Sequence, residues 1–187
     1  WPAAGTTGYA FLNAVNGLMH EELSRVFIDA ARDEESDAIV LTGAGKAFCA
    51  GGDFDWLQEM IDHPTEYHKA GRDARRIIMS ILECDKPVIA KVNGVAAGAG
   101  ANIALACDIV IAAKEAKFIQ SFSALGLIPD SGGSWHLPRL VGQARALGLA
   151  LTGEPLPAEK AAEWGLIWKA VDAEVLDTEV EGIATKL

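Results

Sequence analysis

The sequence has few cysteines and no long apolar run. Its three cysteines, Cys49, Cys84 and Cys107, are odd in number and far apart, which matches neither a disulfide framework nor the spacing of metal ligands. We therefore expect buried free thiols and a cytoplasmic protein. No stretch approaches the ~18 consecutive apolar residues that a membrane-spanning helix needs. Residues 1–11 also lack the charged start and apolar centre of a signal peptide.

Positive charge is scarce as well. The chain has 16 Lys and Arg residues against 26 Asp and Glu, a formal net charge of -10, which disfavours nucleic acid and anionic membranes as general partners. The histidines show no mutual spacing for a metal and are expected to be surface or hydrogen-bonded residues: His20, His63, His68 and His136. Half of the residues are hydrophobic, as is usual for globular proteins.

Hydrophobic periodicity predicts alternating helices and strands. Asn16 can cap a first helix whose apolar side chains share one face. Short β-branched runs at 37–43, 86–94 and 108–113 are typical of buried parallel strands. Helices are predicted near 65–84, 98–107, 132–140, 142–151 and 158–164, followed by a strand at 167–171 and a terminal helix. This order favours an α/β fold with parallel strands.

Three glycine-rich turns lie between these elements, at 42–56, 93–108 and 126–135. A nucleotide-binding P-loop would need glycine in place of Val40 and Ser or Thr in place of Ala47. The dinucleotide fingerprint would need glycine in place of Ile103, and its acidic partner is not evident. Neither nucleotide site is therefore favoured.

Exposed N–H groups in such turns can also stabilise an oxyanion. Residues 98–100 precede a helix-forming stretch, so they would lie at a helix N-terminus, where free N–H groups and the positive end of the dipole meet. The Gly51–Gly52 turn could supply a second donor. Glycines of this kind more often serve only tight bends, so both interpretations stay open from the residues alone.

Asp130, in the stretch GLIPDSGGSW, allows two interpretations as well. Asp before Ser-Gly-Gly is typical of a helix N-cap. Alternatively, Phe122, Leu125, Leu127 and Ile128 could desolvate the carboxyl group and raise its pKa to a value useful for acid–base catalysis.

The three turns together resemble the crotonase (enoyl-CoA hydratase/isomerase) superfamily. The matching text is LTGAGKAFCAGGDF, then KPVIAKVNGVAAGAGANIALACDIVIAA, then FSALGLIPDSGGSWHLPRLVGQARALGLALTGEPLPAEKAAEWGLIWKAVD. The last block is most similar to the family's 1,2-epoxyphenylacetyl-CoA isomerase branch. The resemblance implies an α/β spiral of repeated ββα units with mostly parallel strands, and a homo-trimer or hexamer. It also implies a coenzyme A thioester as substrate, with no metal and no permanently bound cofactor.

The resemblance further implies an oxyanion hole formed by the N–H groups of Gly52 and Ala99. Hydratases of the family carry two glutamates at the positions of Asn102 and Phe122, and neither residue here exchanges a proton at neutral pH. Asp130 stands where isomerase branches carry a catalytic aspartate and where a dehalogenase branch carries a nucleophile. The resemblance therefore implies an acyl-CoA isomerase with Asp130 as acid–base. The alternatives are an enoyl-CoA hydratase, an aryl-CoA dehalogenase, and a non-catalytic acyl-CoA-binding subunit or inactive fragment.

Residues expected to contact the substrate surround these groups: Ala50, Gly51, Asp53, Phe54, Gly98, Asn102, Phe122 and Leu125. For Asp53, capping of the helix FDWLQEM is the favoured role. Compared with the family, residues 12–172 correspond to the core domain and residues 173–187 to the start of a C-terminal helical region. Residues 1–11 look atypical or truncated, and part of the C-terminal helical region is expected to be lacking.

Overall fold

The computed structural model describes residues 12–187, and only the backbone of residues 66 and 69. The expectation of an atypical N-terminus at residues 1–11 lies outside the described residues. The helices are α1 (Gly17–Ala31), α2 (Phe54–Asp62), α3 (Pro64–Leu82), α4 (Ala99–Ala106), α5 (Gly133–Val141), α6 (Gln143–Thr152), α7 (Ala158–Glu163) and α8 (Leu176–Ala184). The strands are β1 (Ile39–Thr42), β2 (Ala47–Cys49), β3 (Val88–Val92), β4 (Val95–Ala97), β5 (Ile109–Ala113), β6 (Lys117–Ile119), β7 (Leu156–Pro157) and β8 (Lys169–Val171).

The first six strands alternate between two sheets. One sheet has the order β1-β3-β5-β8, and all of its pairs are parallel. The other has the order β2-β4-β6-β7, with β6 and β7 antiparallel. The pairs β1 and β2, β3 and β4, and β5 and β6 each add one strand to each sheet before a helix follows, whereas α7 separates β7 from β8. The predicted α/β spiral of ββα units with mostly parallel strands is confirmed.

The central strand β3 is buried on both faces. Val88, Ala90 and Val92 pack into the main core together with α1, α3 and α4, while Ile89 faces the opposite side, against Leu176 of α8. Helix α8 begins in the stretch 173–187, so this stretch packs directly on the sheet. Burial on both faces explains why β3 reads as a continuous apolar run.

Strand β1 differs from the sequence expectation. It is parallel, as predicted, but its residues alternate between half-buried and exposed, and Val40 is 42% exposed. Within residues 12–187, β1 pairs only with β3 and therefore forms an edge. Helix α8 packs mainly on β3 and β5, and the prediction of a buried strand was wrong for β1.

The predicted start of the first helix is confirmed in detail. The Asn16 side chain accepts a hydrogen bond from Met19 N at 3.0 Å and caps α1.

Strands β2 and β4 were missed because the residues alone indicated only glycine turns at 42–56 and 93–108. Of the helices in the described part of the chain, none combines the length and apolarity that crossing a membrane would take.

Candidate active site

The first glycine turn, residues 50–53, is fixed by pairing with the segment before α1. The N–H of Val15 donates to Gly51 O at 2.7 Å, and the N–H of Asp53 donates to Val15 O at 3.0 Å. These bonds form a parallel bridge between Val15 and Gly52. Gly52 lies between the two residues that bond to Val15, and in a parallel bridge such a residue directs its own N–H away from the partner strand. The N–H of Gly52 therefore points away from Val15.

The second glycine turn leads into helix α4. Gly98 has φ 52°, its N–H donates to Ile119 O at 2.8 Å, and its carbonyl accepts from Asn102 N at 3.2 Å. Ala99 is the first helical residue, so its N–H has no acceptor within the helix. It also lies at the positive end of the helix dipole.

The two turns can lie in contact because Gly51 and Gly100 have no side chain. A Cβ on Gly100 would lie 2.5 Å from Cys49 O and 2.6 Å from Cys49 Sγ. A Cβ on Gly51 would lie 3.1 Å from Ala97 O and 3.9 Å from Gly98 Cα. The start of α4 therefore rests directly on the end of β2, and the two glycine turns lie side by side.

The predicted donors Gly52 and Ala99 are both partly exposed. Within residues 12–187, neither N–H donates to a loop carbonyl or to a side chain. Two N–H groups in adjacent turns, one at a helix N-terminus, form an arrangement that can stabilise negative charge on a single oxygen atom. Their role as an oxyanion hole stays a prediction.

Phe122 lies beside the second turn. Its side chain is 5% exposed, and the ring atom Cζ lies 3.8 Å from the position that a Cβ on Gly98 would take. The Phe122 carbonyl accepts from Leu125 N at 2.9 Å and from Leu127 N at 3.0 Å, which turns the chain toward Asp130. An apolar ring at this place excludes water from the side of the turn that it covers.

The Asp130 loop bends sharply before α5. Ser131 has φ 45° and Gly132 has φ 77°, so two successive residues are left-handed. Helix α5 begins at Gly133, its N-cap is Gly132, and no side chain caps it. The alternative interpretation of Asp130 as a helix cap is therefore wrong, and its carboxyl group is available for other contacts.

Asp130 carries a perturbed carboxyl group. The residue as a whole is exposed, yet the protein packed around the carboxyl group raises its pKa above the ordinary value. Burial is the main cause, and a side-chain hydrogen bond with Ser131 opposes it. A raised pKa brings a carboxylate closer to the range in which it works as an acid–base near neutral pH.

The expected apolar wall around Asp130 is mostly absent. Leu125 is 51% exposed, Leu127 54% and Ile128 79%, so these side chains extend into solvent in this chain. Of the four apolar residues predicted to desolvate Asp130, only Phe122 is buried. The predicted direction of the pKa shift is reproduced, with burial as its main cause.

The other predicted contact residues of the first turn are partly accessible. Asp53 caps α2, since its Oδ1 accepts from Trp56 N at 3.0 Å, as the favoured interpretation expected. Phe54 is 70% exposed. Ala50 is half-buried, and its N–H donates to Leu12 O at 3.1 Å. Within the described chain, no cluster of three His, Cys, Asp or Glu side chains is arranged to hold a metal ion.

Comparison with known proteins identifies the family. The profile described as "Enoyl-CoA hydratase/isomerase" matches residues 10–187. The chain belongs to the enoyl-CoA hydratase/isomerase family.

Relatives in the enoyl-CoA hydratase/isomerase family are similar over most of this chain. The 1,2-epoxyphenylacetyl-CoA isomerase of Escherichia coli K12 is 47% identical over 94% of this chain and 68% of its own length. A probable enoyl-CoA hydratase of Rhodobacter capsulatus is 50% identical over 86% of this chain and 61% of its own length. The chain thus spans about two thirds of the length of these curated relatives.

Solved structures in the family agree with the fold. A crystal structure of an enoyl-CoA hydratase from Bacillus anthracis superimposes with a TM-score of 0.89 at 34% identity, covering 95% of this chain and 69% of that one. An enoyl-CoA hydratase from Polaromonas sp. JS666 also gives 0.89, at 37% identity, covering 95% and 70%.

Asn102 corrects a sequence expectation about this family member. It was predicted to contact the substrate, but its side chain is 0% exposed. Its Nδ2 donates to Asp130 O at 2.9 Å, and its Oδ1 accepts from Gln120 Nε2 at 2.9 Å. Asn102, on α4, therefore holds the main chain of the Asp130 loop. Gln120 itself was missed, because nothing in the sequence links it to Asn102.

A cavity beside the first turn was also missed. It has a volume of about 560 Å³ and lies among α1, α2 and α3, lined by residues that include His20, Asp53 and Trp56. The rings of His20 and Trp56 lie in tilted contact, with centroids 4.9 Å apart and an angle of 46° between their planes. Only the packing of three helices creates this space, so no local sequence signal could have revealed it.

The predicted states of the thiols and histidines hold in part. Cys49 and Cys107 are buried free thiols, as expected, and Cys84 is half-buried. His20 is buried. The expectation for His136 was wrong: its Nε2 is buried without a hydrogen-bond partner in the described structure, because it is packed against Gly132. Burial and nearby Arg139 lower the pKa of His136.

Proposed function

We propose that this chain carries the active site of an acyl-CoA isomerase, which shifts a double bond or opens a ring epoxide adjacent to a coenzyme A thioester. The observation that carries the proposal is the meeting of two N–H donor turns in a chain whose one candidate acid–base, Asp130, has a raised pKa. The isomerase named among the relatives supports the same reaction class.

The first step follows from the donor turns. The N–H groups of Gly52 and Ala99 hydrogen-bond the thioester oxygen, which makes the carbon next to the carbonyl more acidic. Negative charge that develops on this oxygen as the proton leaves is stabilised by the same two donors. Loss of one such donor typically costs about 3 kcal/mol of transition-state stabilisation.

Asp130 then moves the proton. In a double-bond shift its carboxylate removes a proton from one carbon and returns it to another, so no water is consumed and one carboxyl group suffices. The raised pKa of Asp130 makes it a stronger base than an ordinary carboxylate. The mechanism requires neither a metal nor a resident cofactor.

The residues around the site argue against hydration. Asn102 is inaccessible and engaged in two hydrogen bonds, so it cannot activate water. Phe122 carries no ionisable group, and its buried ring occupies the other glutamate position. Enoyl-CoA hydration remains the second candidate function because the relative from Rhodobacter capsulatus, at 50% identity, is named a probable hydratase.

We also propose a cytoplasmic homo-trimer or hexamer. Exposed apolar side chains on two neighbouring helices support an assembly: Trp135 and Leu140 on α5, and Leu147 and Leu151 on α6. Buried free thiols support a reducing compartment. Sedimentation of the purified protein at several concentrations tests the assembly.

A substrate panel tests the reaction. Enoyl-CoA and ring-epoxide CoA thioesters are incubated with the wild type and with Asp130→Asn, which keeps the side-chain shape and removes the titratable group. We expect isomerisation to fall by about 100-fold or more, the range over which a positioned acid–base contributes. Binding of the thioester is expected to change little, because the donor turns are intact.

A matched variant controls for the loss of a carboxylate. Asp37→Asn removes an exposed carboxylate near β1 and should leave turnover unchanged. Unchanged isomerisation in Asp130→Asn would refute the proposal. Hydration that is insensitive to Asp130 would favour a hydratase, halide release from haloaryl thioesters would favour a dehalogenase, and binding without turnover in the wild type would favour a binding subunit.

A further inference from the structure

The main chain of Asp130 is held by two hydrogen bonds at one atom. Its carbonyl oxygen accepts from Asn102 Nδ2 at 2.9 Å and from Gly133 N at 2.7 Å. A carbonyl oxygen has two lone pairs, so both are used. The peptide that follows the carboxylate-bearing residue is therefore fixed in direction from two sides, although the side chains of the loop before it extend into solvent.

Asn102 is itself held by a second buried amide. Gln120 Nε2 donates to Asn102 Oδ1 at 2.9 Å, which leaves Nδ2 of Asn102 oriented toward Asp130. Asn102 is 0% exposed and Gln120 is 2% exposed. We call Gln120 and Asn102 the amide relay. It connects the end of β6, through α4, to the main chain of Asp130.

Stability alone does not account for the relay. Gln120 Oε1 is buried and has no hydrogen-bond partner in the described structure. A buried polar atom left unsatisfied costs free energy that an apolar side chain of similar length would avoid. The one bond that Gln120 Nε2 does make serves to orient Asn102.

The loop needs external support. Ser131 has φ 45°, a left-handed conformation that is strained for a residue with a side chain and persists only where surrounding structure imposes it. Asn102 and Gly133 supply this restraint at the preceding carbonyl. Gly133 also packs tightly on the relay, since a Cβ there would lie 2.3 Å from Asn102 Nδ2.

We propose that Gln120 and Asn102 are positioning residues that hold the Asp130 carboxyl group in its working orientation for proton transfer. This inference rests on the proposed function, because it assigns the relay to the residue that moves the proton. Gly133 contributes to the same positioning, because its lack of a side chain allows Asn102 to reach the Asp130 carbonyl.

Three variants disturb the relay at different points. Asn102→Ala removes the donor to Asp130, Gln120→Met removes the donor that orients Asn102, and Gly133→Ala displaces the Asn102 amide. Because misplacement of a catalytic group by about 1 Å can cost about 100-fold in rate, we expect kcat to fall by about 10- to 100-fold. KM should stay within about twofold, since the donor turns are untouched.

The pH profile separates positioning from a merely structural role. Burial is the main cause of the raised pKa of Asp130, the Ser131 hydrogen bond opposes it, and no charged group among the described residues contributes. His136 packs on Gly132 of the same loop, and burial and Arg139 lower its pKa, so it is neutral near pH 7. A loosened loop admits water, and the acid limb of kcat/KM should then move to lower pH in all three variants.

Gly148→Ala is the matched control for Gly133→Ala. Both glycines are helical, but a Cβ on Gly148 would meet no atom within 4 Å, so kcat and the acid limb should not change. Wild-type kcat and an unmoved acid limb in folded Gln120→Met and Gly133→Ala, with Asp130→Asn inactive, would overturn the relay and leave the proposed function intact. Full activity of Asp130→Asn would overturn both.

Discussion

The donor turns and the Asp130 loop are built in opposite ways. The donor turns are held by backbone packed on backbone, with Gly100 against Cys49 and Gly51 against Ala97. The Asp130 loop is held by side chains, through Asn102 and Gln120, and its own apolar residues are exposed. The position of the proposed N–H donors thus depends on backbone contacts, whereas the position of Asp130 depends on two buried side chains from other parts of the chain.

The largest effect is expected where backbone meets backbone. Gly100→Ala would place a Cβ 2.5 Å from Cys49 O, and neither strand β2 nor helix α4 can retreat without disturbing the core. We expect destabilisation of about 3 kcal/mol, at the upper end for overpacking, measured by urea unfolding. Gly148→Ala, in open space within α6, should instead stabilise by up to about 1 kcal/mol. Equal stabilities would show that the turns are not in close contact.

An intermediate effect is expected from Ser131→Gly. Glycine adopts the left-handed conformation without strain, which should stabilise the chain by about 1 kcal/mol or less after the extra freedom of the unfolded state is counted. The hydrogen bond from Ser131 lowers the pKa of Asp130, so its loss should raise that pKa further. The acid limb of kcat/KM should therefore move to higher pH. A shift to lower pH would contradict this account of the loop.

The smallest effect concerns the stability of Asp130→Asn. Burial raises the pKa of Asp130 in the folded chain, so the folded form binds the proton more tightly than the unfolded form. The contribution of Asp130 to the free energy of unfolding is therefore fully favourable below the ordinary pKa of about 4, and it is lost as pH rises through the raised pKa. At pH 7 the variant should therefore have a slightly higher Tm than the wild type, and the gain should vanish near pH 3. An equal gain at both pH values would exclude Asp130 as its source.

Much of the fold could be predicted from local pattern. Asn16 and Asp53 cap their helices as expected, and the runs around β3 and β5 are buried parallel strands. The short strands β2 and β4 could not be separated from glycine turns, because three residues carry no periodicity. Val40 is exposed on β1, which pairs only with β3 among the described residues, and such an edge position is a property of the packed sheet.

The candidate site also has one part that local sequence predicts and one part that it does not. The donor turns have a local signal, since glycines before a helix-forming stretch predict free N–H groups at a helix N-terminus. The support of Asp130 has none, because Gln120, Asn102 and Asp130 are brought together only by the fold. The apolar residues before Asp130 were misassigned for a related reason. Their composition indicated burial, but of these residues only Phe122 is buried.

The bond from Gly98 N–H to Ile119 O has a consequence for biosynthesis. A nascent chain can make β3, β4 and α4 once these have left the ribosome, yet the turn ahead of α4 gains this anchor only after β6 has emerged. The same strand leads into Gln120. The proposed donor turn and the proposed proton-transfer loop therefore depend on the same segment, and both gain a support only once residues 117–120 have been made.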